Sequence, residues 1–142
     1  MTLVLDASVA VKWAIPSAQE SLTHEALRLF DRYLSGEFEF IVPDIFWAEV
    51  GNALWKGIRQ RRWHQQKAEV VIANLSLQGF QTVPSKIFLP EAFDIALAYG
   101  VSIYDCLYVA LASDSRSDLI TADERLANAL AARFPVKWLG AF

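Results

Sequence analysis

The sequence predicts an α/β fold, a three-layer sandwich with a mostly parallel sheet between helices, and three observations carry that reading. Short β-rich runs alternate with helical patterns along the 142 residues. The first run, TLVL at 2–5, is apolar without polar alternation, as a strand covered on both faces is. Acidic residues stand where strands give way to helices, and sheets of this class bind ligands beyond the carboxyl ends of their strands.

Each element has its own signal. Strands are predicted at 2–5, 39–42, 80–83, 118–121 and 136–138. A short helix over 7–15 stops at Pro16, and a second over 22–34 sets Leu22, Ala26, Leu29, Phe30 and Tyr33 on one stripe before Gly36. A third, over 44–61, follows Pro43 with Asp44 as its N-cap, and a fourth covers 64–77. The helix over 90–99 opens on Pro90 and closes at Gly100. Ser102 and Asp105 make a capping-box pair, and Thr121 and Glu124 repeat that spacing before a last helix over 123–132. No linker, low-complexity tract or repeat divides the chain, so 1–142 is read as a single domain.

Composition narrows the class. A domain of this length buries enough apolar surface to do without a disulfide or structural metal, and the single Cys106, in an apolar run, reads as a buried hydrophobe in a reducing cytoplasm. No apolar stretch reaches the ~18 residues of a membrane span, and no basic region precedes the apolar N-terminus. A cytoplasmic protein without a membrane partner is expected. Thirteen Lys and Arg against 16 Asp and Glu give a net charge of −3, which at face value argues against a nucleic-acid partner.

Four acids resist a bland account. Asp105 sits in SIYDCLYVALA, a helix apolar nearly all round, where an unpaired carboxylate costs several kcal/mol or stays protonated. Capping beside Ser102 is the simple alternative. Asp6 ends the first strand and could merely cap the next helix, while Glu49 shares a face with Asn52 and Lys56 among apolar neighbours. Asp123 falls in a first helical turn, where acids are common. Taken together, carboxylates at strand-to-helix junctions repel unless a cation holds them, and such hard oxygen donors suit Mg²⁺ or Mn²⁺. Zinc is disfavoured, since His24, His64 and Cys106 have no ligand-spaced partners.

These fragments, LVLDASV, PDIFWAEVGNALWK, SIYDCLYVALA and LITADERL, resemble in order and spacing the PIN domain, and within it the VapC-type toxins of toxin–antitoxin pairs. The resemblance spans essentially the whole chain. It implies a metal-dependent endoribonuclease in which Asp6 and Asp105 bind metal most directly, with Glu49 and Asp123 completing the cluster. Ser8, Thr121 and Asn52 fall on secondary polar positions of the family's pattern, Asn52 as a support for Glu49. Cys106 is a departure, because a small residue is commoner there. The resemblance further implies a cognate antitoxin seated in a groove of early helices, to which Trp13, Phe46, Trp47 and Trp55 could contribute if they are not core, and a homodimer.

The chemistry expected is Mg²⁺- or Mn²⁺-assisted hydrolysis of RNA phosphodiesters, with no protein nucleophile. For RNA binding the sequence offers Lys56, Arg59, Arg61, Arg62 and Lys67, interleaved with Trp55, Trp63 and His64 in an acid-free stretch over 50–68. A solvated helix pair with aromatic feet in the core is the alternative for that stretch. Setting aside the four site acids takes the formal charge from −3 to +1, so the acidic average hides a basic surface. A catalytically inactive PIN-like domain serving as a protein- or RNA-binding module is the other reading. A receiver-like domain lacks its adjacent acids here, and an aspartyl-phosphate phosphatase lacks its Asp-x-Asp.

Overall fold

A computed structural model describes residues 1–14 and 20–142. Five parallel strands, β1 (Thr2–Leu5), β2 (Glu39–Pro43), β3 (Gln81–Val83), β4 (Asp118–Thr121) and β5 (Val136–Trp138), stand in the order β3-β2-β1-β4-β5. Among the described residues seven α-helices flank them: α1 (Ala7–Ala14), α2 (Thr23–Leu34), α3 (Ile45–Arg59), α4 (Gln65–Ser76), α5 (Leu89–Tyr99), α6 (Ile103–Ser115) and α7 (Glu124–Leu130). The predicted α/β class is the one found. The apolar central strands are its cause, since Leu3, Val4, Leu5, Leu119 and Ile120 are all but fully buried.

The strand order decides where a site can form. From β1 the chain steps outward to β2 and β3, then crosses back to lay β4 on the other side of β1, with β5 beyond it. The segments leaving β1 and β4 therefore diverge, which opens a crevice at their carboxyl ends. Leu5 pairs with Ile120, and the Asp6 N–H donates to the Ile120 carbonyl at 3.1 Å, so the ladder runs to the lip of that crevice. Helix α6 packs against β1, β2 and β4, while α1 packs against β4, α2 and α3.

Several local expectations shift, each because a side chain finds a distant partner or the backbone turns early. Asp44 makes no side-chain cap on α3; its carboxylate instead accepts from the N–H and hydroxyl of Ser85, which opens a turn of 3₁₀ helix at Ser85–Phe88 that the sequence did not announce. Thr121 and Glu124 form no capping box, because Asp123 itself caps α7, its Oδ1 accepting from the N–H groups of Arg125 and Leu126. Leu22 takes φ +64° just before α2. Phe80 is buried but precedes β3. The predicted end of α1 at Ile15 and Pro16 lies outside the described residues. Cys106 is fully buried, as expected.

The aromatic residues divide between core and surface. Trp13 is 9% exposed, donates Nε1–H to the Ala26 carbonyl at 2.6 Å and packs on Phe30 and Phe40 with centroids 4.9 and 5.5 Å away. Phe46 is fully buried, and Trp47 is half-buried with its N–H on Thr82 Oγ1. Trp13 and Phe46 thus serve the core, the simpler of their two sequence readings, and Trp55 alone of the four stands exposed.

Candidate active site

The crevice between β1 and β4 is lined by a chain of short polar contacts centred on Asp6. This carboxylate is 6% exposed, and its Oδ2 accepts from the Ser8 hydroxyl at 2.8 Å and the Thr121 hydroxyl at 2.6 Å. Both hydroxyls are themselves held: Ser8 Oγ accepts from the Ala122 N–H at 3.1 Å, and Thr121 Oγ1 from the Asp123 N–H at 3.0 Å. Thus the turn after β4 and the first turn after β1 are tied through one carboxylate, and the backbone that carries Asp123 is fixed relative to Asp6.

Two helices bring the remaining acids. Asp105 is in the first turn of α6, where the Ser102 hydroxyl caps the helix by accepting from the Asp105 N–H at 3.2 Å. Its carboxylate is half-buried rather than sealed, and it feels the charges of Asp6 and Asp123. Glu49, on α3, is half-buried and feels Asp6 and Asp105. Asp123 is exposed at the start of α7. Asn52 is exposed as well, and the hydrogen bond on Glu49 comes from elsewhere: the hydroxyl of Tyr108 donates to Glu49 Oε1 at 2.8 Å.

The electrostatics follow from this convergence. Burial pushes the Asp6 carboxyl upward against the opposing pull of Thr121 and Ser8, with the charge of Asp123 adding to the rise. Burial first, then the neighbouring Asp6, raises Asp105 to about 6. Burial also raises Glu49, partly offset by Tyr108. Among the described residues none of the four carboxylates has a Lys, Arg or His nitrogen within 4.0 Å. Mutually repelling carboxylates without a protein counter-charge are the donor set a hard divalent cation fits. As the side chains stand, no three Asp, Glu, His or Cys among the described residues are close enough to ligate one ion. Mg²⁺ asks for less, since it usually takes one or two carboxylates and fills the rest of its shell with water and phosphate oxygens.

Two open concavities flank the acids. One, of about 390 Å³, is lined by Ser8, Asp123, Lys12, Lys56, Arg62 and Trp63, and by Glu20, whose carboxylate pairs with Lys12 at 3.9 Å and with Arg62 at 3.8 Å. The other, of about 310 Å³, holds Asp105 and Asp123 with Ser102, Tyr99 and Arg125. Asp123 borders both, and among the described residues Lys56 on one side and Arg125 on the other have no carboxylate within 4.0 Å.

The basic stretch is exposed throughout, at Lys56, Arg59, Arg61, Arg62 and Lys67, and its shape rests on one close approach. A Cβ on Gly57 would fall inside the Trp63 indole, so only glycine lets that ring lie on α3 and donate Nε1–H to the Leu54 carbonyl at 2.9 Å. The chain turns there through Arg61 at φ +57°. Arg62 lies over the Trp63 ring at 4.7 Å, and Arg59 over Trp55 at 5.0 Å. The aromatic-feet alternative is thus half right: Trp63 is a foot, and Trp55 is 51% exposed. Of the five basic residues, Lys56 and Arg62 reach the first concavity.

Sequence reasoning missed Tyr108, Lys12 and Arg125. Tyr108 had a signal, being three residues after Asp105 on a helix with few other polar groups, and a buried tyrosine hydroxyl seeks a partner. Lys12 and Arg125 had none apart from the acids they follow.

A family model described as the PIN domain matches residues 3–130. Ribonuclease VapC3 of Pyrobaculum aerophilum is 32% identical over 130 residues, covering 89% of this chain and 93% of that protein. In three dimensions the crystal structure of PAE2754 from Pyrobaculum aerophilum superposes with a TM-score of 0.71 at 22% identity, over 99% of this chain and 85% of the other. A toxin–antitoxin complex from Klebsiella pneumoniae superposes with a TM-score of 0.63 at 16% identity, over 95% of each chain.

Proposed function

The chain belongs to the PIN-domain family, and from that premise we propose that it is a Mg²⁺- or Mn²⁺-dependent endoribonuclease of the VapC type, the toxin of a toxin–antitoxin pair. The observation that carries the reading is the convergence of Asp6, Glu49, Asp105 and Asp123, supplied by four separate segments, at the one crevice the strand order creates, without a protein cation to neutralise them. The 32% identity to Ribonuclease VapC3 supports the ribonuclease reading.

In this reading Asp6 and Asp105 hold the divalent ion, with Glu49 and Asp123 completing its surroundings. When bound, such an ion activates water near neutral pH and offsets charge building on the phosphoryl group. The protein's own part is positional. Ser8 and Thr121 fix the Asp6 carboxylate, so its orientation is set before substrate arrives and need not be reorganised during reaction. Lys12, Lys56 and Arg62 draw the RNA backbone into the first concavity, Arg125 meets it on the far side, and Trp55 offers a face for a base. Arg59, Arg61 and Lys67 extend the positive surface outward.

We assign the whole chain to a single domain acting in the cytoplasm, with a cognate antitoxin as inhibitory partner and a second copy as homodimer mate. Among the described residues no single helix is long and apolar enough to cross a membrane. The test is direct: purified protein is incubated with a labelled single-stranded RNA in Mg²⁺ or Mn²⁺, with and without EDTA. Internal cleavage that EDTA abolishes and the product of a neighbouring antitoxin frame suppresses is expected. Salt-sensitive RNA binding without cleavage in either metal would instead indicate the inactive binding module.

A further inference from the structure

We propose that Tyr108 is a positioning residue of the site, a clamp that keeps the Glu49 carboxylate turned toward Asp6 and Asp105, beside the pair that would bind the ion. The inference rests on the metal-dependent reading above and adds to it a residue outside the acidic cluster.

Tyr108 is the largest of the fully buried side chains, and α6 carries it one turn beyond Asp105, on the same face. Its hydroxyl donates to Glu49 Oε1 at 2.8 Å and lies beside the backbone N–H of Ala7, the residue after Asp6. One side chain therefore joins α6, α3 and the first turn beyond β1, the three segments that carry Asp105, Glu49 and Asp6. A buried tyrosine that only needed satisfaction could have used a backbone carbonyl. Here its single donor goes to a carboxylate, and that bond is charge-assisted.

The clamp acts on the acid with most freedom to leave. Glu49 has a long, rotatable side chain, is half-buried, and is repelled by Asp6 and Asp105. Without a restraint, rotation toward water would relieve that repulsion. The Tyr108 hydroxyl opposes the rotation, and full burial of the tyrosine ring holds the hydroxyl in place. Outer partners of this kind orient metal-binding carboxylates, and their loss typically weakens metal affinity or activity ~10–100-fold.

The experiment measures Mn²⁺ binding by calorimetry and RNA cleavage for the wild-type protein, Tyr108→Phe, Glu49→Gln and the double variant, with thermal unfolding of each. Tyr108→Phe keeps the ring and removes only the hydroxyl. It is expected to weaken Mn²⁺ binding ~10–100-fold, and to cause no further loss in the Glu49→Gln background, where the clamped group is no longer a carboxylate. Unchanged Mn²⁺ binding in Tyr108→Phe, or an equal loss in both backgrounds, would overturn the inference by making the tyrosine a packing residue. Should Tyr108→Phe unfold, Glu49→Asp poses the same question: the carboxylate stays but is one methylene short of the hydroxyl, so Mn²⁺ binding should weaken, and wild-type affinity would overturn the clamp. Wild-type protein that binds no Mn²⁺ would sink the metal reading and this inference with it, whereas wild-type binding with an indifferent Tyr108→Phe sinks only the clamp.

Discussion

The turn after β4 and the turn between α3 and α4 are both short, polar and near the crevice, yet they are built in opposite ways. The first is closed: Thr121 is fully buried, its hydroxyl is shared between Asp6 and the Asp123 N–H, and Ser8 binds the Ala122 N–H beside it. The second is open: Lys56, Arg59, Arg61 and Arg62 are all exposed, with two of the guanidinium groups resting on indole faces. In the proposed function this contrast is a division of labour. A carboxylate that must keep its geometry is locked by buried hydrogen bonds, while cations that meet a long polyanion work best wet, mobile and numerous.

Breaking the closed turn should cost most. Thr121→Val conserves volume but removes the hydroxyl that Asp6 and the Asp123 N–H share, so cleavage is expected to fall ~10–100-fold while Thr121→Ser stays close to wild type. Equal rates in steady-state cleavage for Val and wild type would show that the lock is irrelevant. On the open side, Gly57→Ala drives a methyl into the Trp63 indole, and overpacking of this kind costs about 1–3 kcal/mol. RNA affinity should drop as Arg62 loses its platform, with cleavage of saturating RNA largely preserved. A gel-shift titration beside single-turnover cleavage separates the two.

A smaller change sharpens the same contrast. Replacing Arg61 and Arg62 by alanine should weaken RNA binding and flatten its dependence on salt by ~0.7 log units per log unit of salt for each phosphate no longer neutralised. An unchanged slope would move the RNA off this surface. The smallest effect is on stability. Folded Asp105 holds its proton up to about 6 against an ordinary 3.8, so the metal-free native state binds more protons than the unfolded chain between those values, and stability falls as pH rises across that window. Asp105→Asn should therefore unfold at a higher temperature than wild type at pH 7 in EDTA, by a few degrees at ~2–4 °C per kcal/mol, and the advantage should vanish near pH 4.

Much of this was readable from the sequence because the signals were local. Unbroken apolar runs gave the strands of the buried sheet, and Asp105 in a helix apolar nearly all round stood out without reference to any neighbour. What stayed hidden depended on long-range choices. Asp44 and Thr121 both look like local caps, yet each spends its side chain on a partner distant in sequence, Ser85 in one case and Asp6 in the other. Tyr108 meets Glu49 across 59 residues of sequence. Lys12 and Arg125 border the concavities only because β1 and β4 are neighbours in the sheet. The net charge hid a related feature, since an average over the chain cannot show that acids gather around one crevice and exposed bases along one turn.

In the proposed function, carboxylates at the end of β1 and in the first turn of α6 would hold the divalent ion needed for RNA cleavage. The decisive variant is Asp6→Asn, assayed on RNA over a titration of Mn²⁺ with circular dichroism to confirm the fold. A folded protein that still binds RNA but loses more than ~100-fold in cleavage, beyond what an outer partner costs, is expected at every Mn²⁺ concentration. A folded Asp6→Asn protein that cuts RNA at the wild-type rate would contradict the proposed function.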